Sequence, residues 1–209
     1  MTVTTKEIFD HMRPNLTTDQ VQALYRLMEK GADLDTIGRF AGVPVKVQTA
    51  AMPKPNGFKF GATSLKRLEG INPRLRKVVD RALEIAEEDF MAIEGLRTKE
   101  QAWANWGKGR SVMDCNAAGV PAKYAQPSAS KVTWLKNPLN SKHISGNAVD
   151  LAPSPLDWND LKRFDKMASA MFKASAELQI PIRWGADWDD DGVFREKGET
   201  DSPHFELVG

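Results

Sequence analysis

The chain has 209 residues, with 41% hydrophobic and 27% charged, which suits one globular domain with a small appendage. A formal net charge of +1 excludes the basic surplus of a nucleic-acid-binding domain, so we expect no nucleic-acid partner. The single cysteine, Cys115, excludes an intrachain disulfide, and we expect it to be inert or structural. The sequence has no apolar run of about 18 residues and no signal-peptide pattern, which predicts synthesis in a cytoplasm without membrane insertion.

The first part of the chain predicts a short helical appendage. Apolar residues recur at helical spacing after Leu16 until Gly31, and a second short helix fits residues 34–40. The Pro- and Gly-containing stretch 53–57 then breaks the pattern. We therefore divide the chain into 1–57, an appendage and linker that could serve in binding or in packing, and a second domain over 58–209. His11 in the appendage is expected to be a surface residue.

Beyond Phe58 the pattern becomes a mixture of helices and short strands. The Asn72-Pro73 pair and the capping-box spacing of Thr98 and Gln101 each predict a helix start. Residues 107–140 are rich in Gly, Pro, Ser and Asn and are predicted to be irregular. Short strands are predicted over 90–93, 148–151, 182–184 and 204–207. A long helix is predicted over 158–178, with an apolar face formed by Trp158, Leu161, Phe164, Ala168, Met171, Phe172 and Leu178. This order predicts an α+β fold in which helices flank a small antiparallel sheet.

Two of the three histidines stand near carboxylates in stretches that could converge. His143 precedes a glycine turn and a predicted strand that carries Asp150, and His204 follows Asp201 by three residues. Two imidazoles and one carboxylate are a common zinc set, with a fourth position left for water. A further carboxylate such as Asp201 could then take the proton of that water. The alternative is that both histidines are ordinary surface or core residues, and the sequence lacks the HExxH helix of many zinc proteases.

The order of the motifs resembles the L-alanyl-D-glutamate endopeptidases of phage endolysins, which share a zinc peptidase family with D-Ala-D-Ala carboxypeptidases. The resemblance rests on Ser141–Asp150, read as Ser-x-His-x-x-Gly-x-Ala-x-Asp, and on Asp201–Phe205, read as Asp-x-Pro-His-Phe. Supporting matches extend over about 58–207 and include Glu94-Gly95-Leu96-Arg97-Thr98, Gly107-Lys108-Gly109-Arg110, Val132-Thr133 and Arg183-Trp184-Gly185-Ala186-Asp187-Trp188.

The resemblance implies a role for each matching residue. His143, Asp150 and His204 would bind one zinc ion on the sheet, and Asp201 would be the general base. Arg97 would stabilise the oxyanion on the scissile carbonyl, with a surface salt bridge as its alternative. Ser141, Gln101 and Trp184 would contact or orient the substrate, although Trp184 could equally be a core residue.

The family also implies a reaction and a setting. An aspartate with Pro-His-Phe is typical of the endolysin type, which cuts the L-Ala–D-Glu bond of the peptidoglycan stem peptide. The appendage over 1–57 could then be a wall-binding module. We therefore expect a monomeric endolysin that is held in the host cytoplasm and released to the cell wall by a holin. The alternatives are a D-Ala-D-Ala carboxypeptidase and a non-catalytic wall-binding zinc domain, since a related zinc fold occurs in hedgehog proteins.

The acidic stretch 187–192 is a second candidate metal site. Asp187, Asp189 and Asp191 followed by glycine match the start of a calcium loop. An EF-hand would place glutamate at position 198, where the chain has Gly198, so Glu196 or Glu199 could serve only in another loop geometry. A solvated acidic loop without calcium is the favoured alternative.

Overall fold

A computed structural model describes residues 56–208. The predicted helical appendage and His11 lie outside these residues, and the division at 57/58 stays a prediction. The described elements are, in chain order, α1 Ala62–Arg67, α2 Pro73–Ile85, β1 Phe90–Glu94, α3 Lys99–Gly107, α4 Val112–Ala117, β2 Ala148–Pro153, α5 Leu161–Leu178, β3 Ile182–Trp184 and β4 His204–Leu207. Two single-turn 3-10 helices, Ala122–Tyr124 and Pro138–Asn140, lie between α4 and β2.

The four strands form one antiparallel sheet in the order β1-β2-β4-β3. Asp150 in β2 pairs with His204 in β4, although the two residues are 54 positions apart in the chain. In β4 the apolar side chains of Phe205 and Leu207 are buried in the core, on the face opposite His204. The predicted α+β fold with a small antiparallel sheet is confirmed.

Helices α2 and α5 pack together behind the sheet and supply much of the core. The predicted start of α2 is confirmed, because the Asn72 side chain accepts a hydrogen bond from the Arg74 amide and Pro73 occupies the first turn. Its apolar stripe is buried, and burial of each leucine or valine in it contributes about 1.5–3 kcal/mol. The stripe consists of Leu75, Val78, Val79, Ala82 and Leu83.

Helix α5 begins later than the sequence predicted. Trp158, expected on its buried face, lies before the helix, is 53% exposed and stacks on Phe164. The local reason is a turn in which the Asp157 side chain accepts a hydrogen bond from the Asn159 amide. On the rest of the predicted face, Leu161 is also exposed, at 44%. Phe164, Ala168 and Met171 are buried as expected, and Phe172 and Leu178 are half-buried. The helix ends at Leu178, before Pro181.

The prediction that residues 107–140 are entirely irregular is wrong. They contain α4, whose capping box joins Ser111 to Asp114. Six residues are too few to display a helical stripe, so only the capping signal could have revealed this helix. Cys115 on α4 is buried beside Trp106 and Val120, and burial raises the pKa of its thiol. This environment agrees with the inert role expected for Cys115.

Among residues 56–208, no helix is long and apolar enough to cross a bilayer.

Candidate metal centre

Backbone geometry brings His143, Asp150 and His204 together. The β2–β4 register sets Asp150 beside His204. His143 reaches the same point from the loop before β2, and Gly146 turns the chain between them with a φ of +71°. A Cβ on Gly146 would come within 2.8 Å of the Gly70 carbonyl oxygen, so both the turn and the close approach require glycine.

The three side chains point one atom each at a common centre. His143 Nε2 lies 3.2 Å from His204 Nδ1 and 3.3 Å from Asp150 Oδ1, and His204 Nδ1 lies 3.1 Å from Asp150 Oδ1. Ligands at about 2.05 Å from a tetrahedral zinc ion are separated by about 3.3 Å. The observed triangle therefore has the size of one face of a zinc tetrahedron.

The remaining ring nitrogens are held by hydrogen bonds. His143 Nδ1 donates to the Gly95 carbonyl oxygen over 2.8 Å, which leaves Nε2 as the lone-pair atom directed at the centre. His204 Nε2 lies 3.3 Å from Glu206 Oε2, so this carboxylate can orient the second ring. Outer hydrogen bonds of this kind fix the tautomer and orientation of metal-binding imidazoles.

Without metal the cluster behaves as a charged pair. Burial lowers the pKa of His204, but hydrogen bonds to Asp150 and Glu206 outweigh this and raise it to about 9. Burial would raise the pKa of Asp150, and hydrogen bonds from His143 and His204 instead hold it well below its usual range. In the metal-free protein a protonated His204 thus takes the place of the cation.

Asp201 is exposed and lies close enough to this cluster to interact with the charges of His204 and Asp150. Its main-chain carbonyl accepts the His204 amide over 3.0 Å, and its own amide donates to Gly185. A Cβ on Gly185 would come within 2.5 Å of the Asp201 carbonyl oxygen, so glycine permits this approach. Partial desolvation and the charge of Asp150 raise the pKa of Asp201 against the opposing charge of His204, which favours proton exchange by this carboxyl.

Arg97 forms a salt bridge, the alternative role given above, and its role at the oxyanion stays a prediction. Its guanidinium forms a two-pronged ion pair with Glu94 at 2.7 Å and donates to Ser141 Oγ at 3.3 Å. Burial would lower the pKa of Arg97, but Glu94, and more weakly Asp150 and Asp201, raise it. The salt bridge therefore holds a permanent positive charge within electrostatic range of the metal cluster.

The other residues predicted to contact substrate occupy different settings. Ser141 is 9% exposed and adjoins Arg97. The Gln101 side chain accepts the Thr98 amide in the capping box of α3. Trp184 is 1% exposed, stacks on Phe205 and donates to the Ser202 carbonyl, which is the core alternative. Substrate contact by Ser141 and Gln101 stays a prediction.

The acidic loop forms a second cluster. Oxygens of Asp187, Asp189 and Asp191 lie within 4.8 Å of one another. Glu199 is 8% exposed, and its Oε1 accepts the Trp188 and Asp189 amides, while its Oε2 is buried with no hydrogen-bond partner among the described residues. Trp188 packs against the His204 ring at 5.2 Å, so the loop contacts the metal centre.

Sequence reasoning missed Glu94 and Glu206 and left the role of Glu199 open. Strand alternation was the available signal for Glu206, because residues two apart in β4 share a face with His204. Glu94 lies three residues before Arg97, but only the turn after β1 shows that the two side chains meet.

Comparisons with known proteins match this domain. A family model described as phage L-alanyl-D-glutamate peptidase matches residues 56–123 and 119–208. The L-alanyl-D-glutamate peptidase of Escherichia phage T5 is 38% identical over 157 residues, covering 72% of this chain and 98% of the relative. The matched range contains both histidines of the metal centre and the acidic loop.

Two solved structures are similar at lower levels. The crystal structure of the Serratia marcescens L-Ala D-Glu endopeptidase ChiX has a TM-score of 0.49 and 26% identity, covering 73% of this chain and 92% of that one. A mutant of the vancomycin-resistance D,D-pentapeptidase VanY in complex with Zn(II) has a TM-score of 0.44 and 18% identity, covering 75% and 83%.

Proposed function

Since the chain belongs to the phage L-alanyl-D-glutamate peptidase family, we propose that it is a zinc-dependent endopeptidase that hydrolyses the L-Ala–D-Glu bond of peptidoglycan stem peptides. The observation that carries the proposal is the triangle of His143 Nε2, Asp150 Oδ1 and His204 Nδ1, with sides of 3.1–3.3 Å. The name of the T5 relative supplies the bond.

The donor set fits zinc. Two imidazole nitrogens and one carboxylate oxygen converge, and both outer ring nitrogens have acceptors in Gly95 and Glu206. Zinc bound there would supply Lewis acidity and a water of lowered pKa. His143 and His204 must be neutral to bind it, so the proton that His204 holds in the metal-free protein would leave.

Asp201 would transfer the proton, and Arg97 would stabilise the developing negative charge. The Asp201 carboxylate, which is exposed and within electrostatic range of the cluster, would accept the proton of the attacking water and pass it to the leaving amine. Arg97, held in place by Glu94, would stabilise negative charge on the scissile carbonyl oxygen. Ser141 would keep the guanidinium at the correct angle through its hydroxyl.

The biological setting forms part of the same proposal. We infer an endolysin that acts as a monomer on the cell wall after holin-dependent release from the host cytoplasm. Size-exclusion chromatography with light scattering tests the monomer, and lysis of host cells with and without a co-expressed holin tests the release.

The proposed function is tested by digesting purified peptidoglycan with zinc-loaded protein and analysing the products by mass spectrometry. We expect new stem peptides that begin with D-Glu, and a chelated sample should yield none. Release of D-Ala alone would instead establish the carboxypeptidase alternative. Intact peptidoglycan despite full zinc occupancy would favour a non-catalytic wall-binding domain.

We further propose that the acidic loop binds calcium through Asp187, Asp189 and Asp191, with Glu199 as a fourth carboxylate ligand. Oxygens on opposite sides of a calcium ion lie about 4.6–5.2 Å apart, so the three aspartate oxygens, all within 4.8 Å of one another, fit around one ion. Glu199 lies outside this group of three and would have to move to reach the ion. The unpartnered Glu199 Oε2 supports a missing cation, because a buried carboxylate oxygen without a partner is costly. Calcium would order Trp188 against His204 and thereby steady the segment that carries Asp201.

Calcium binding is tested by titrating zinc-loaded protein that has been freed of other divalent ions. We expect the melting temperature and the cleavage rate to rise together. At a calcium concentration of 100 times Kd the stabilisation is about 2.7 kcal/mol, or about 5–10 °C in Tm for a domain of this size. Unchanged Tm and rate would establish the solvated acidic loop instead.

A further inference from the structure

An open cleft of about 410 Å³ lies at the C-terminal end of α3, separate from the metal-binding side chains. Its lining carries three cationic side chains, Arg110, Lys131 and Lys136, and one carboxylate, Asp114. The cleft therefore has an excess of two positive charges.

Existing contacts neutralise these cations only in part. The Asp114 carboxylate accepts hydrogen bonds from the Ser111 amide and hydroxyl at 2.9 and 2.7 Å, and it also attracts Lys131 and Arg110 through its charge. Arg110 lies over the Trp106 ring and donates to the main-chain carbonyls of Trp106 and Thr133, which carry no net charge. Lys131 and Lys136 are exposed, and neither forms an ion pair with another residue in 56–208. The cleft is thus suited to an anionic ligand.

The segment that carries both lysines is fastened to α3. Arg110 donates to the Thr133 carbonyl over 2.7 Å, and Trp106 Nε1 donates to the Leu135 carbonyl over 2.7 Å. These bonds fix the backbone of residues 131–136 at two points while the lysine side chains stay in solvent. A fixed backbone reduces the entropy lost when a ligand is bound.

The length of α3 relates the cleft to the metal centre. The helix begins two residues after Arg97 and has 9 residues, so its far end lies about 13 Å from its start beside Arg97. Three extended residues span about 10 Å at about 3.3 Å each, and the γ-linkage of D-Glu adds two chain bonds, or about 2.5 Å. A stem peptide placed with its L-Ala–D-Glu bond at the metal continues through D-Glu and a diamino acid to a terminal D-Ala. Its terminal carboxylate falls at that distance.

We propose that this cleft binds the terminal carboxylate of the stem peptide, with Lys131 and Lys136 as the charged contacts. The inference rests on the proposed function, because the scissile bond at the metal centre fixes the position of the peptide. Lys131 and Lys136 would hold the substrate equally before and during bond cleavage, so they would affect KM rather than kcat.

The test compares N-acetyl-L-Ala–γ-D-Glu–L-Lys–D-Ala as the free acid and as its C-terminal amide. For the unaltered protein at low salt, we expect the KM of the acid to be about five to ten times lower, the effect of two partly exposed ion pairs. The double variant Lys131→Ala/Lys136→Ala should raise the KM of the acid to that of the amide. Its kcat and its KM for the amide should not change.

A control double variant, Lys77→Ala/Lys173→Ala, removes two exposed lysines from α2 and α5. It should keep the difference between acid and amide, and added salt should shrink that difference in the unaltered protein. The inference is overturned if the unaltered protein has one KM for both peptides, or if the cleft variant keeps the difference.

A binding measurement separates this inference from the proposed function. Calorimetry with the product peptide γ-D-Glu–L-Lys–D-Ala, as acid and as amide, needs no catalysis. If the protein cleaves no peptide but binds the acid more tightly through Lys131 and Lys136, the proposed function fails and the cleft remains an acid-binding site. Equal binding of the two forms rejects the cleft even if cleavage occurs.

Discussion

The metal centre and the acidic loop differ in how their ligands are held. His143, Asp150 and His204 belong to or adjoin two paired strands, and their outer atoms are hydrogen-bonded. Asp189 and Asp191 lie on an exposed loop whose oxygens accept amides of the same loop. The sheet therefore preorganises the first set for a tightly bound ion of small coordination number. The loop is held by hydrogen bonds within itself, and the calcium ion proposed there would add to them.

The substitution with the largest expected effect removes a ligand from the metal centre. His204→Ala removes one of three protein ligands, so zinc should be lost and cleavage should fall by about a thousandfold or more. Zinc content by mass spectrometry and cleavage rate are measured together, with Lys173→Ala as the matched surface control. Full activity without bound zinc would reject the assignment of the centre.

Asp201→Asn should separate catalysis from metal binding. The amide keeps the shape of the carboxyl but cannot accept the proton, so kcat should fall by about a hundredfold to ten-thousandfold. Zinc content should stay at the level of the unaltered protein. A variant that still lyses cell walls at the normal rate would remove Asp201 from the mechanism.

The pH dependence of stability should differ between the metal-free and zinc-loaded forms. The pKa of His204 is raised to about 9 in the metal-free fold, compared with about 6.5 in the unfolded chain. Its contribution to the free energy of unfolding is therefore fully present below about pH 6.5 and is lost as the pH rises through about 9. This is on the order of 2–3 kcal/mol. Between pH 7 and pH 10 the Tm of metal-free protein should fall, while zinc, which binds neutral imidazole, should flatten the profile. Parallel Tm profiles for the two forms would contradict a protonated His204 paired with Asp150.

Glu206→Gln should weaken zinc without abolishing its binding. The neutral amide still reaches His204 Nε2 but no longer supports the ring with a negative charge, so the zinc affinity should fall by about tenfold to a hundredfold. Competition with a chromogenic chelator measures this, and Glu177→Gln, on the helical layer, is a control for the loss of a carboxylate. An unchanged zinc affinity would show that Glu206 does not tune the centre.

The substitution with the smallest expected effect lies beside the acidic loop and tests how the loop differs from the metal centre. Glu199→Gln keeps the oxygen that accepts the Trp188 and Asp189 amides but removes the unpartnered negative charge. Without calcium the variant should be as stable as the unaltered protein or more stable. With calcium it should bind about tenfold more weakly, because calcium affinity depends on ligand charge. Thermal melts with and without calcium give both values, and a loss of stability in calcium-free buffer would argue against the site.

The sequence predicted the fold and the metal centre to different extents. The start of α2, the strand segments and the α+β class followed from local signals such as Asn72-Pro73 and from period-2 alternation. The convergence of His143 with His204 did not, because it depends on the β2–β4 register across 54 residues. The ordered motifs supplied that pairing through the resemblance. Helix α4 and the true start of α5 were missed because a short capped helix and an Asp157 turn leave little periodic signal.

The alternation of β4 has a consequence for engineering this protein. Phe205 and Leu207 face the core, while His204 and Glu206 face the metal centre, so one four-residue strand presents two independent design surfaces. Apolar exchanges at the first pair can tune thermal tolerance and leave the catalytic face chemically intact. A one-residue shift of the strand would exchange the two surfaces and destroy both properties at once.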